Sequence, residues 1–246
     1  MSLTPTLTPT VLHPLTLPGL LHHVLTTQSA PCPTLLIVCS SQHMFLQDLA
    51  CSLKQGPGHG QTDSLESLVA PTLHNLLLTR HVKLAFCASV QALLAYLTAY
   101  GLSGTGHVGD AGGRERLFLV NPLALHASTP SFSAQGLSRT FATAAEIALR
   151  RSIHLHMVEC EGRRAQLEEQ DEEDVPMANG RDENQEETVD DPWEQEVGIL
   201  NVSARRFGSG PGERAWAGRT VRAKRIAARW FRFHKLPGRH THNGLG

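Results

Sequence analysis

Fourteen histidines and five cysteines are the residues of this 246-residue chain best suited to chemistry, so their spacing is the first thing to weigh. His154 and His156 alternate with Ile153, Leu155 and Met157, which puts both imidazoles on one face of a strand. Two histidines at i and i+2 can share a metal, but no third ligand accompanies them, and a zinc site needs three or four. His126 lies in a polar stretch, 123–136, with Ser128, Thr129, Ser131, Ser133 and Gln135. It could serve as a general base, yet no serine or cysteine is identifiably paired with it. His22 and His23 are adjacent, and His74 and His81 flank a helical pattern without partners at ligand spacing. Cys32, Cys39, Cys51, Cys87 and Cys160 are odd in number and widely spaced, with no zinc pattern. They read as buried thiols in a reducing compartment.

Phosphate chemistry has two places to look. A helix N-terminus after a strand favours anions, and Ser40-Ser41-Gln42-His43 follows the apolar run Thr34–Cys39. That turn lacks the glycines that wrap phosphates and the lysine that reaches the terminal ones. Ser40 and Ser41 read as helix caps instead. Gly104-Thr105-Gly106-His107-Val108-Gly109 matches GxGxxG, but it follows a helix and precedes a strand, the reverse of a dinucleotide loop. A connector is the simpler reading. Asn121 ends the run Leu117–Val120 where a magnesium-dependent NTPase would carry an acid. A neutral amide there argues against hydrolysis, so no catalytic residue, no metal and no cofactor are expected.

Net charge is −1, but it is unevenly distributed. Fourteen acidic residues and one basic residue, Arg181, lie between Glu168 and Glu196. From Val197 onward eleven Lys and Arg face a single acid, Glu213. Such a basic block can bind a phosphate backbone, and the acidic run could compete with it in cis. The candidate phosphate contacts are Arg205, Arg206, Arg219, Arg222, Lys224, Arg225, Arg229 and Arg232. Trp216, Trp230 and Phe231 interleave with them and could stack on bases or pack beneath a sheet. The same charges would also suit a solvated edge strand.

The elements that must position these groups form an α/β pattern. Residues 1–33, rich in Thr, Pro and Leu, read as a flexible N-terminal arm; 34–160 as the α/β core; 161–192 as an acidic disordered insertion; 193–234 as a closing β-hairpin; and 235–246 as a polar tail. Strands are expected at Thr34–Cys39, Val82–Cys87, Leu117–Val120 and Ile153–Val158. Helices are expected after Ser41, from about Pro71 with Leu73, Leu76 and Leu77 on one face, after Ser89, and around Leu137, Phe141, Ala144 and Ala148. Val197–Val202 and Thr220–Phe233 read as the closing strands, the second with a bulge near Arg225. The first residues lack the basic-then-apolar pattern of a signal peptide, and no run reaches the ~18 apolar residues of a membrane span, so no membrane partner is expected.

This order of elements resembles the ATPase core of the RecA family, above all the degenerate recombinase paralogues of DNA-repair accessory complexes. The resemblance covers residues 34–233, with 161–192 as an insertion, and is carried by Thr34–Cys39, Leu117–Asn121, Ile153–Glu159 and the basic closing segment. It implies a mostly parallel sheet flanked by helices with a C-terminal antiparallel hairpin. It also implies a nuclear, non-hydrolysing subunit (a cytoplasmic one in the alternative) that scaffolds recombination or repair, holds protein partners in a hetero-oligomeric complex and contributes to DNA binding. Neither phosphate motif is present, so no catalytic residue is carried over. Two other readings stay open: a RecA-like accessory subunit of an Elongator-type tRNA-modification complex, and an α/β enzyme of another kind acting through 123–136.

Overall fold

Five-residue strands with apolar, buried interiors build the centre of the sheet. A computed structural model describes residues 7–29, 32–54, 72–102, 114–161, 191–199 and 219–236. Six strands form one sheet in the order β10-β1-β6-β5-β3-β4, each neighbour parallel to the next. They are β1 (Thr10–His13), β3 (Thr34–Val38), β4 (Val82–Phe86), β5 (Arg116–Val120), β6 (His154–Val158) and β10 (Arg232–Lys235). Two short ladders stand apart from it. β2 (Leu15–Thr16) pairs in parallel with β7 (Cys160–Glu161), and β8 (Glu196–Gly198) pairs antiparallel with β9 (Thr220–Arg222). The expected parallel α/β core with a C-terminal antiparallel hairpin is thus present.

Strands β3 and β5 are covered on both sides, as their unbroken apolar runs require. Leu12, Leu36, Val38, Phe118, Val120 and Val158 face one helical layer, which holds α1 (Leu17–Thr27) and α2 (Gln42–Lys54). Val11, Ile37, Leu117, Leu119, Leu155 and Met157 face the other. That layer contains α4 (Val90–Leu102), α6 (Ala134–Arg151) and α7 (Ala223–Ala227). Caps set the helix starts. Ser41 Oγ accepts from Met44 N at 3.2 Å, Ser89 Oγ from Ala92 N at 3.2 Å, and Ser133 Oγ from Gly136 N at 3.2 Å. At the other end of α6, Arg150 and Arg151 occupy the last turn, where the helix dipole favours them.

Three local expectations are corrected. The N-terminal arm is an interior strand: Thr10–His13 lies between β6 and β10, with Val11 and Leu12 buried on opposite faces. Pairing on both sides outweighs the Thr- and Pro-rich composition around it. The continuous strand from Thr220 to Phe233 is instead β9, then α7, then β10. Ala223, Ile226 and Ala227 are buried at helical spacing, so the break in alternation near Arg225 marks a helix and not a bulge. Finally, the polar stretch after Asn121 begins with a short helix, α5 (Pro122–Ala127). The glycine motif 104–109, nearly all of the acidic stretch, Arg205, Arg206, Trp216 and most of the polar tail lie outside the described residues.

Helix α3 (Leu73–Thr79) starts at Thr72, whose Oγ1 accepts from Asn75 N at 3.1 Å. Its three leucines share a face as expected, but that face is turned outward: Leu73, Leu76 and Leu77 are all exposed. None of the five cysteines is in a disulfide, and Cys32, Cys39, Cys87 and Cys160 are buried. No helix among the described residues is long and apolar enough to cross a membrane.

Candidate functional site

The carboxyl ends of parallel strands are where open α/β sheets usually bind ligands. Here those ends are closed largely by the protein's own groups. Asn121 follows β5 in the left-handed region, with φ 58°, a conformation Asn tolerates better than most residues. Its side-chain Oδ1 accepts from Cys160 N at 2.7 Å, and its own N–H donates to Val158 O at 2.8 Å. The buried Glu159 carboxylate accepts from Leu123 N and, at 3.4 Å, from Ala124 N. An anion at the start of α5 meets the unpaired amides of a helix N-terminus. Asn121 and Glu159 therefore lock β5, α5 and β6 together.

This lock supports a quantitative expectation. Asn121→Ala should lower stability by about 2 kcal/mol, because it leaves the buried Cys160 amide without its acceptor and puts a β-carbon residue lacking a local polar group at positive φ. Asn121→Asp keeps the acceptor and should cost less. Urea denaturation of the two variants compares them directly.

His126 is fully buried in α5. Its Nδ1 lies 3.2 Å from Ser131 O and its Nε2 lies 3.0 Å from Thr140 Oγ1. A carbonyl can only accept, so Nδ1 carries the proton and Nε2 accepts from the threonine hydroxyl. Burial holds the imidazole below its ordinary pKa, with the Ser131 hydrogen bond opposing. The residue is a neutral structural bridge between α5 and α6.

His154 and His156 do project from one face of β6, as their spacing predicts. His156 Nδ1 is 2.7 Å from Thr10 Oγ1, and its ring lies 4.8 Å from that of Phe118. Burial first, then the positive charge of His154, His23, Arg116 and His234, pushes its pKa down to about 4. Among the described residues no group of three His, Cys, Asp or Glu is placed to hold a metal.

Past the ends of β1, β6 and β10 is a cavity of about 230 Å³ lined by His13, Glu159, Asp191, Trp193 and Lys235. Trp193 is buried against Phe233 at 5.3 Å between ring centres. Asp191 Oδ1 caps the 3₁₀ turn Pro192–Glu194 by accepting from Trp193 N at 3.0 Å. The cavity is not legible in the sequence, because the Thr- and Pro-rich composition around Thr10–His13 hides its strand. The paired apolar residues Val11-Leu12 ahead of Pro14 were the available signal.

The basic residues fall into three groups. Arg222 and Lys224 converge on one carboxylate, Glu194, at 2.9 and 2.8 Å. The hydrogen bond from Lys224, opposed by desolvation and helped by charge from Lys224 and Arg222, lowers the Glu194 pKa. Arg225 and Arg219 are exposed nearby, and Arg225 joins Arg222, Glu196 and Thr220 around an open pocket of about 430 Å³. Arg229 is exposed after α7, its guanidinium 5.9 Å from the Trp230 ring centre, and Arg232 is exposed at the start of β10. The structure thus brings Arg222, Lys224 and Arg225 together but assigns two of them to an ion-pair network. Trp230 is half-buried and Phe231 is buried against Phe141, so Phe231 packs in the core and does not face a base.

No protein-family model matches this chain, and no curated protein matches it by sequence.

Proposed function

We propose that this chain is a non-hydrolysing RecA-like subunit that scaffolds a recombination or repair complex in the nucleus and lends basic side chains to DNA binding. The order of elements supports the reading. A strand and helix come first (β1 and α1), strand–helix pairs follow, then a strand ending in Asn121, a further strand, and a basic closing segment. The first strand–turn–helix is therefore His13 to Gly19, not the turn after Cys39. It carries no lysine, and its residues are already engaged: Leu15–Thr16 pairs with Cys160–Glu161, and Thr16 Oγ1 accepts from Gly19 N at 3.2 Å. A turn of this kind is poorly suited to wrapping phosphates.

The observation that carries the DNA reading is the exposed set Arg219, Arg225, Arg229 and Arg232, beside the paired Arg222 and Lys224. Each phosphate neutralised contributes a slope of about −0.9 to the dependence of log K on log salt for duplex DNA. Replacing Arg225 and Arg229 together by glutamate should weaken duplex binding at low salt at least tenfold and reduce that slope by about 2. Arg222→Ala should have a smaller effect, because its guanidinium already has a carboxylate partner. Fluorescence anisotropy across a salt series measures all three, and wild-type protein without salt-dependent affinity would sink the DNA reading. Affinity purification with mass spectrometry tests the scaffold: recombination proteins support it, whereas tRNA-modification subunits favour the Elongator-type alternative.

A further inference from the structure

We propose that Cys39 and Cys87 are a redox-active pair, which hydrogen peroxide converts into a disulfide joining β3 to β4. Register places them side by side. β3 and β4 run parallel and are paired through Val38 and Phe86, and each cysteine is the next residue along its chain. Cys87 N donates to Val38 O at 2.9 Å and Cys39 N donates to Val120 O at 2.9 Å. Both strands therefore stay in the sheet for that extra step. Neighbouring strands lie about 4.8 Å apart, and a disulfide spans Cα separations of roughly 4.4–6.8 Å.

Both side chains also leave the sheet on the same face. Ile37 and Cys39 belong to the core under α4 and α6, whereas Val38 between them belongs to the other core. In β4, Ala85 and Cys87 lie on that first face and Phe86 on the second. The two thiols are thus neighbours within one core, 1% and 2% exposed. None of the other three cysteines shares this setting. Cys32 precedes β3 at its opposite end, and Cys51 is on α2. Cys160 follows β6, two strands away from β3, and packs in the α1/α2 core.

Position decides the order of events. Among the described residues β4 is paired on one side only, so its end opens locally more readily than interior β3. Cys87 is therefore the first to meet the oxidant, although burial raises its thiol pKa and slows the attack. Its sulfur attacks peroxide, the O–O bond breaks, and one water leaves as Cys87 becomes a sulfenic acid. The Cys39 sulfur then attacks that of Cys87, the S–O bond breaks, and a second water leaves. Two thiols and one peroxide thus give one disulfide and two waters. Side chains on one face of parallel neighbours start about 4.8 Å apart, above the roughly 3.5–4.5 Å between Cβ atoms of a relaxed disulfide. The link is accordingly strained and readily reduced, which suits a reversible bond.

Peroxide titration of the reduced full chain tests this, with remaining thiols blocked by N-ethylmaleimide and tryptic peptides mapped by mass spectrometry. Lys54, Arg80 and Lys83 separate the two cysteines in the digest. A Cys39–Cys87 link within one chain is expected as the dominant pairing, and dithiothreitol should restore both thiols. The oxidised protein should show a higher urea midpoint than the reduced one, because the link restricts the unfolded chain. Cys39→Ala should abolish the link and leave Cys87 to stop at its sulfenic or sulfinic acid. Should that variant fold poorly, wild type oxidised in urea is the reference, with pairing scattered over the five cysteines. Native protein in which Cys39 and Cys87 stay reduced while Cys51 oxidises would overturn the proposal. So would native protein that pairs them no more often than the urea-unfolded chain does. The DNA measurements with Arg225 and Arg229 substituted are independent of these outcomes.

Discussion

Replacing Phe118 by alanine should destabilise the protein by about 4 kcal/mol, the middle of the range for a buried aromatic. Phe118 is fully buried near the middle of β5, itself flanked by β3 and β6 on either side. It belongs to the smaller of the two cores, where Leu36, Val38, Val120 and Val158 surround it and few side chains could move to refill its volume. A second readout separates this packing effect from general loosening. Phe118 covers His156, and burial is the first cause of that residue's depressed pKa. Phe118→Ala should therefore move the His156 titration up toward 6.5, which NMR of the imidazole protons would follow, while His126 on the other helical layer keeps its own.

Acid should weaken the fold through the same residue. His156 has a folded pKa of about 4 against an unfolded value of 6.5. Below pH 6.5 the unfolded chain binds a proton that the folded chain resists, so stability falls as pH drops and levels off near pH 4. Two and a half pH units at 1.36 kcal/mol each make this loss about 3 kcal/mol. Burial lowers His13, His23, His126 and His154 as well, and each acts with the same sign. Above pH 6.5 none of these groups contributes a slope. Urea midpoints measured from pH 8 to pH 4 should trace the fall, and His156→Gln should make it visibly shallower. An identical slope in the variant would remove His156 as the cause.

The βαβ unit from Arg116 to Val158 was legible because its signals are local and unmixed. Leu117–Val120 and the Leu137, Phe141, Ala144, Ala148 series each have one period and one burial pattern. The basic segment was harder, because two periods compete there. Arg222, Lys224 and the apolar residues after them fit an alternating pattern in part, and only the burial of Ala223, Ile226 and Ala227 reveals the helix. The pairing of Arg222 and Lys224 with Glu194 could not be read at all. It joins residues 28 and 30 positions apart across a hairpin, and nothing local marks one acid out of fourteen. The network around Arg116 is equally non-local: its guanidinium donates to Thr34 Oγ1, to Thr27 O and Oγ1, and to Gln28 Oε1, tying the start of β5 to the end of α1.

The position of β1 bears on how the chain is made. Of the strands in this sheet it leaves the ribosome first, yet both its neighbours come late: β6 follows more than a hundred residues afterward and β10 only near residue 232. Strands β3, β4 and β5 can meet while synthesis continues, but Val11 and Leu12 must wait with their apolar surface unpaired. A nascent chain would thus hold an open slot in its sheet until almost the last strand emerges. Translation from a start site beyond Thr10, or proteolytic trimming past it, would leave that slot empty for good, parting β10 from the rest of the sheet instead of shortening a tail.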